Sequence, residues 1–400
     1  MTRGCVGGHP SGIMGRVQKP GAGIPLSVLD LVLIPEGGTP ASALADAVTL
    51  ARAADRAGYQ RYWVAEHHLY PGGAGAASYL LLPTVAAATT RIRVGTAVIV
   101  IDNHAPLQVA EIGGTVAALA GRGVDLGVGR GGPSEAQRAA ARAVNDRLAV
   151  GELEPGPVGE SELVDGVVVP PRVVVPFNDV RAGLNDRLLS RTPGAPADFG
   201  EQIAEVLGFL RGGFEVPEGV EVVATPAEGA DVDLWVHGSS AGVSAQVAGR
   251  NGLRFGANYH SLPQSVFATV AAYREAFVPS AQLDRPYVAV SADVVVAETD
   301  EEAARIAEPF GLWLYRSRTE YAAPLYPSAA TAAAHPLTES QRAQVSDRLA
   351  SRIVGSPATV VRRLAALAAA TGADELVVTT QAHALADRIR SYELLAEAWD

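Results

Sequence analysis

The pattern of hydrophobic positions alternates between short apolar runs and longer amphipathic segments along most of the chain. Short apolar runs bounded by Gly and Pro are typical of buried strands, whereas apolar residues that recur every three or four positions indicate helices. The pattern predicts strands near residues 24–34, 61–65, 92–101, 124–128, 232–237, 253–257, 287–297 and 375–380. It predicts helices near residues 41–57, 78–88, 106–119, 134–147, 201–210, 241–251, 262–277, 300–314, 339–353, 357–371 and 384–399.

The alternation of strand and helix predicts the fold class. Parallel neighbouring strands need a crossover connection, which a helix supplies. About eight such units close into a barrel. We therefore expect an α/β protein with a (β/α)8 TIM barrel and insertions, in which the residues that follow each strand meet on one catalytic face.

Two stretches interrupt the alternation. Residues 148–200 contain many Pro and Gly and two valine-rich runs, 166–170 and 172–176, which predict an inserted extra hairpin. Residues 318–336 contain Tyr321 and several Ala and Pro. Long irregular segments in a compact domain are often lids or binding elements, so both stretches are predicted to cover the site.

Composition narrows the class of protein. The net charge of -11 disfavours nucleic acid and anionic membranes as partners, since both bind clustered positive charge. The single cysteine, Cys5, excludes a disulfide framework, and no apolar run approaches the roughly 20 residues that span a bilayer. Residues 1–22 are expected to be a disordered extension before a single domain at 23–400. We expect a cytoplasmic location.

The strongest candidate chemistry follows the second strand, where Glu66, His67 and His68 are consecutive. His67 is expected to face the barrel mouth, where an imidazole can act as an acid or base near neutral pH. The alternative is a histidine satisfied within a loop. Glu66 could orient an imidazole or pair with an arginine, and we favour a structural role. Adjacent histidines point to opposite sides of an extended strand, so no metal site is expected.

Other candidates follow later strands. Gly238, Ser239 and Ser240 precede a predicted helix, whose free N–H groups and dipole can hold a phosphate, although an ordinary helix cap has the same composition. Arg130 offers a bidentate cation at a strand end or, alternatively, a salt bridge at the rim. Asn103 with His104 could contact a ligand, but this pair is also common in turns.

Taken together, several motifs resemble the bacterial luciferase-like monooxygenases over about residues 24–146 and 230–400. The motifs are Ala65–His68, Arg91–Val98, Asn103–Pro106 with Ala110–Glu111, Gly127–Gly131 and Gly238–Ser240. Within that family the sequence is most similar to actinobacterial members that tailor aromatic polyketides.

The resemblance implies a two-component monooxygenase that receives reduced FMN from a separate NAD(P)H:flavin reductase. Such enzymes react the flavin with O2 to a C4a-hydroperoxide, which here would oxygenate a small, aromatic polyketide-like substrate. Relatives commonly dimerise, so a homodimer is expected.

The resemblance also assigns roles to residues. It implies a catalytic His67 and a non-proline cis peptide at Ala97–Val98 beneath the flavin ring. Substrate contacts are expected from His68, Asn103, His104 and Tyr321.

The cofactor phosphate is expected at Arg130 and Gly238–Ser240. Gln108 stands where luciferases carry a phosphate-binding arginine, so a charge is missing there. Two alternatives remain open: an F420-dependent hydride-transfer oxidoreductase of the same fold, and a flavin-binding protein without turnover.

Overall fold

The computed structural model describes residues 23–131, 135–189, 198–216, 219–320 and 324–399. The strands are β1 (Leu26–Asp30), β2 (Arg61–Val64), β3 (Arg93–Thr96), β4 (Ile99–Val100), β5 (Val124–Gly129), β6 (Gly156–Val158), β7 (Glu162–Val164), β8 (Val167–Val169), β9 (Arg172–Val174), β10 (Phe214–Val216), β11 (Val220–Val222), β12 (Val232–Gly238), β13 (Arg254–Asn258), β14 (Val288–Val296), β15 (Ile353–Gly355) and β16 (Glu375–Thr379). The helices are α1 (Pro40–Ala57), α2 (Ser78–Ala88), α3 (Pro106–Ala120), α4 (Glu135–Ala149), α5 (Asp179–Leu188), α6 (Phe199–Arg211), α7 (Val243–Arg250), α8 (Val266–Ala276), α9 (Asp300–Ala307), α10 (Pro309–Thr319), α11 (Ala329–Ala334), α12 (Glu339–Ala343), α13 (Ser346–Ser351), α14 (Pro357–Thr371) and α15 (Leu385–Trp399).

The strands close into a parallel barrel. Around it the order is β1, β2, β3, β5, β12, β13, β14 and β16, and β16 pairs with β1 again. The short β4 extends this wall beside β5. Helices connect the strands, as right-handed crossovers between parallel strands require. The expected (β/α)8 barrel is therefore confirmed.

The alternation of side chains in each strand separates two apolar layers. In β12, Leu234 and Val236 pack outward in the large core between strands and helices. Trp235 points into the barrel instead, where its ring lies 4.8 Å from that of Trp63 in an edge-to-face arrangement. Because successive side chains of a strand point to opposite faces, neighbouring residues of β12 contribute to the two layers in turn.

A buried ion-pair cluster closes the amino-terminal end of the barrel. The Arg61 guanidinium lies 2.9 Å from Asp125 and 3.1 Å from Glu375. Trp63 donates to Asp125 at 2.9 Å, and the Tyr287 hydroxyl donates to Glu375 at 2.8 Å. Burial opposes the charge on Arg61, but the two carboxylates outweigh it and raise the pKa of Arg61. Among the described residues, paired side chains therefore fill the amino-terminal end of the barrel.

Three predicted elements are divided. The strand predicted at 92–101 stops after Thr96 and resumes as β4. The helix predicted at 300–314 is divided into α9 and α10 at Pro309, whose missing N–H cannot continue the helix. The helix predicted at 339–353 is wrong: a turn buries Val345 in the cluster that contains Phe310, and two short helices remain. The last residues form β15, which pairs with β14.

The insertion forms one long hairpin, and the predicted pairing within it is wrong. The two valine-rich runs do not pair with each other: β8 pairs with β7, and β9 pairs with β6. The chain reverses at Asp165 and Gly166, which both have positive φ. The hairpin is tied to the barrel by the Tyr259 hydroxyl, which donates to the Val168 carbonyl at 2.8 Å. The hairpin β10–β11 and helix α5 were not predicted.

The described part of 318–336 lies at the carboxyl ends of β1 and β16. Tyr326 N–H donates to the Ile34 carbonyl at 2.9 Å, and the Tyr326 hydroxyl donates to the Gln381 carbonyl at 2.9 Å. Residues 1–22, Ser134, which was predicted to cap a helix, and Tyr321 lie outside the described residues, as do residues 190–197 of the insertion. None of the described helices is long and apolar enough to cross a membrane.

Candidate active site

A cavity of about 240 Å³ occupies the carboxyl half of the barrel. Leu29, Trp63 and Val377 form its apolar wall, and His67 and His260 also line it. Within the described ranges its lining contains no Asp, Glu, Lys or Arg. The volume lies just below the roughly 300–1,000 Å³ typical of small-molecule sites, so the cavity suits a flat, uncharged ring.

His67 lies three residues beyond the end of β2 and lines the cavity, near the strand end where the sequence predicts it. Its backbone N–H donates to the Gly75 carbonyl at 3.1 Å, which fixes the chain as it leaves the strand. Its ring stacks on Tyr70 with 5.2 Å between centroids. The imidazole is therefore held on the catalytic face.

The buried carboxylate of Glu66, only 6% exposed, organises a second cluster beside the cavity. One of its oxygens lies 2.9 Å from His68 Nε2, and the other lies 3.8 Å from His104 Nε2. Glu66 thus contacts imidazoles rather than an arginine. His68, Asn103 and His104 do not line the cavity itself. The described residues hold no group of three or more His, Cys, Asp or Glu that could bind a metal.

Sequence reasoning missed His237, which is inside the barrel near the end of β12. Its ring lies 5.1 Å from that of Trp63 at an interplanar angle of 78°. Burial lowers the pKa of His237 to about 4 against the opposing charge of Asp125, so the ring is neutral at pH 7. Within the described chain Nε2 is buried without a partner. The period of β12 could have identified this residue, because Trp235 and His237 share one face.

His260, just beyond β13, was also missed. Its Nδ1 lies 2.6 Å from the Ser291 hydroxyl, which itself donates to the Ala257 carbonyl at 3.2 Å. Burial, together with the nearby charge of Arg348, lowers the pKa of His260 to about 3. The cavity is therefore lined by two neutral imidazoles, those of His237 and His260, in addition to His67.

The residues that follow β3 form another wall of the cavity. The Ala97–Val98 peptide is cis, which confirms the expected geometry, and both residues line the cavity. Gly127 of the neighbouring β5 permits this close approach, since a Cβ there would lie 2.0 Å from the Thr96 carbonyl oxygen. A larger residue at Gly127 would displace the backbone of β3.

A polar rim lies beside this wall. Register between β5 and β12 pairs Val128 with Val236, so Arg130 and Gly238 follow at the same level of adjacent strands. Arg130 is exposed. The Ser239 carbonyl accepts from the Ser265 hydroxyl at 2.6 Å, which anchors the loop before α7.

The structure adds two details about the rim, of which only the start of α7 differs from expectation. Helix α7 begins at Val243, with Gly242 as its N-cap, rather than at Ala241. Gln108 is exposed in the first turn of α3, where its side-chain oxygen accepts from the Ala105 N–H at 3.1 Å. Gln108 thus serves as a helix-capping group.

These features fit a flavin-type group. The cavity has a largely apolar wall that suits the faces of a flat ring, and the unpartnered Nε2 of His237 offers a polar contact to the edge of such a ring. The rim offers a cation and a helix start to an anionic tail. Fold and cavity together define a (β/α)8 barrel with a candidate ligand site at the carboxyl ends of its strands.

Comparison with known proteins identifies the family. The luciferase-like monooxygenase family matches residues 25–152 and 205–375, and the chain belongs to this family. It is 32% identical to the uncharacterized protein YvbT of Bacillus subtilis, over 94% of this chain and 96% of YvbT. The crystal structure of apo-MsnO8 is 31% identical, with a TM-score of 0.72, and the match covers 94% of this chain and 97% of MsnO8.

More distant structures share the fold alone. The oxygenating constituent of 3,6-diketocamphane monooxygenase from Pseudomonas putida, in complex with FMN, has a TM-score of 0.61 at 17% identity. That match covers 94% of this chain and 97% of the other. An F420-dependent secondary alcohol dehydrogenase has a TM-score of 0.55 at 14% identity, covering 94% and 99%. Structural neighbours therefore include proteins with either cofactor.

Proposed function

We propose that this chain is the oxygenating component of a two-component flavin-dependent monooxygenase. It would bind FMNH2 supplied by a separate NAD(P)H:flavin reductase and oxygenate a small aromatic substrate with O2. The observation that carries the proposal is the largely apolar cavity bounded by His67 and Ala97–Val98, next to a rim with Arg130. Membership of the luciferase-like monooxygenase family supports it.

The chain would hold the cofactor at two places. Ala97 and Val98 would support the ring, and Arg130 with Gly238–Ser240 would hold the phosphate through charge and free N–H groups. When bound, reduced FMN supplies the electrons that activate O2. Because Gln108 brings no charge to the rim, Arg130 would provide most of the electrostatic attraction for the phosphate.

The remaining residues would protect and serve the reaction. Trp63 and Leu29 exclude water from the inner end of the cavity, which strengthens polar interactions within it. The His67 imidazole would hold or move a proton at the mouth. His68, Asn103 and His104 stay predicted substrate contacts, at the part of the ligand that extends beyond the cavity.

The phosphate assignment can be tested by binding. We expect Arg130→Met to weaken FMN binding about 10- to 100-fold, because a hydrogen bond to a charged group contributes about 1.5–3 kcal/mol. Riboflavin, which has the same ring without the phosphate, is the matched control and should bind wild type and variant equally. Equal loss for both ligands would contradict the assignment.

The cofactor and its reactivity need separate experiments. Wild-type protein with FMNH2 is mixed with oxygenated buffer, and flavin absorbance is followed against free FMNH2. We expect reoxidation at a rate distinct from that of free flavin, and a change of that rate in His67→Ala. Reoxidation at the free rate would refute oxygen activation, and binding of F420 without FMN would favour the hydride-transfer alternative.

A further inference from the structure

The cavity has two dissimilar sides. Around the barrel, β13, which ends two residues before His260, lies three positions from β3, in the order β3, β5, β12 and β13. His260 and Ser291 therefore line the cavity across from Ala97–Val98. A ring held against Ala97–Val98, as the proposed function requires, leaves the His260 side to a second ligand.

Hydrogen bonding fixes which nitrogen of His260 carries the proton. The Ser291 hydroxyl has one proton, and the Ala257 carbonyl can only accept. Both Ser291 contacts are hydrogen bonds only if the hydroxyl donates to Ala257 and accepts from His260 Nδ1–H. Nε2 of His260 is then an acceptor, and no described residue bonds to it.

The surroundings keep this acceptor neutral. Burial lowers the pKa of His260 to about 3, so the ring does not gain a second proton at working pH. The other lining groups include Trp63, Leu29 and Val377, and the described lining contains no Asp, Glu, Lys or Arg. An anionic or cationic ligand would lose its hydration here without gaining an ion pair.

We propose that His260 is a specificity-determining residue whose Nε2 accepts a hydrogen bond from the hydroxyl of an uncharged aromatic substrate, with Ser291 as its positioning residue. The substrate class is thus a neutral aromatic compound with a free phenolic O–H. Assigning this ligand as the substrate rests on the proposed function, whereas the preference for a donor rests on His260 and Ser291 alone.

The test compares two probes that differ only in the donor. Isothermal titration calorimetry measures binding of 2-naphthol and 2-methoxynaphthalene to the full chain, alone and with saturating FMN. Wild type should bind 2-naphthol about tenfold more tightly, the ratio expected for one hydrogen bond in a buried site. His260→Phe should remove that preference while keeping affinity for 2-methoxynaphthalene.

Further variants distinguish the positioning role of Ser291 from a general loss of structure. Ser291→Ala should reduce the preference, because either nitrogen of His260 can then carry the proton, and Ser291→Thr should restore it. His335→Phe, which replaces an exposed histidine away from the cavity, is the matched control and should leave the preference unchanged. Equal binding of the two probes to wild type, absence of 2-naphthol binding, or a preference that survives in His260→Phe would overturn the proposal. Failure of FMN to bind would refute the proposed function. It would not refute the preference for 2-naphthol, because that preference is also measured on the protein without FMN.

Discussion

The neutral His237 inside the barrel makes stability depend on pH. Its pKa is about 4 in the folded protein, against about 6.5 for an unperturbed histidine in the unfolded chain. The unfolded state therefore binds more protons between these values, and acidification favours unfolding. Stability is unaffected above about pH 7 and falls progressively as the pH drops from about 6.5 towards 4.

The magnitude follows from the two pKa values. At pH 5 the unfolded chain is mostly protonated at this position and the folded protein mostly is not, which costs about 2 kcal/mol of unfolding free energy for His237. His260 should add a similar amount, because its folded pKa is about 3. A loss of about 4 kcal/mol would be a large part of the stability of a typical domain, about 5–15 kcal/mol.

The assay is urea denaturation of wild type and His237→Gln at pH 8 and pH 5. The glutamine fills similar space without titrating, so the variant should lose about 2 kcal/mol less than wild type on acidification. His335→Gln, at an exposed histidine, is the control and should behave like wild type. Identical pH dependence of wild type and His237→Gln would refute the reasoning. A titration of the His237 ring by NMR with a midpoint near 6.5 would refute it independently.

Three further substitutions test packing and polar contacts by chemical denaturation. Glu375→Leu should lower the free energy of unfolding by about 3–5 kcal/mol, because the buried guanidinium of Arg61 loses one of its two carboxylate partners. A smaller loss in Glu375→Gln would support this cause. Glu66→Leu removes the acceptor of His68 and should cost about 1–3 kcal/mol; an unchanged midpoint would contradict the hydrogen bond seen here. Gly127→Ala should lower the free energy of unfolding by about 1–3 kcal/mol or more, because the new Cβ would clash with the backbone of Thr96, which no rotamer change can move. Gly183→Ala, whose Cβ would have nothing within 4 Å, is its control and should be neutral or stabilising.

The barrel could be predicted because its signal is repeated. The strands of the barrel are largely buried on both faces and form mostly apolar runs, so an error in one boundary leaves the count intact. Val98 and its neighbours could be placed through the family resemblance alone, since apolar periodicity contains no information on a cis peptide. The internal pairing of residues 156–174 was not predictable, because nested and direct hairpins use the same valine-rich runs.

Part of the site could also be predicted, from the positions of polar residues relative to the apolar runs. His67 follows an apolar run directly, and the rule that strand ends carry chemistry identifies it. His237 is still within its strand, where a polar residue is read as part of the strand rather than as part of the site. His260 acquires its role through Ser291, 31 positions away in sequence, and only the paired strands bring the two together.

The hairpin formed by residues 156–174 also has a consequence for how this fold can change its ligand. Its carbonyl at Val168 holds the Tyr259 side chain, and Tyr259 precedes His260. A change in hairpin length would therefore shift the acceptor in the cavity while leaving all eight barrel strands and their pairing untouched. Selectivity can then be altered by exchanging a peripheral segment, so the hairpin is a natural site for grafting segments from relatives with other ligands.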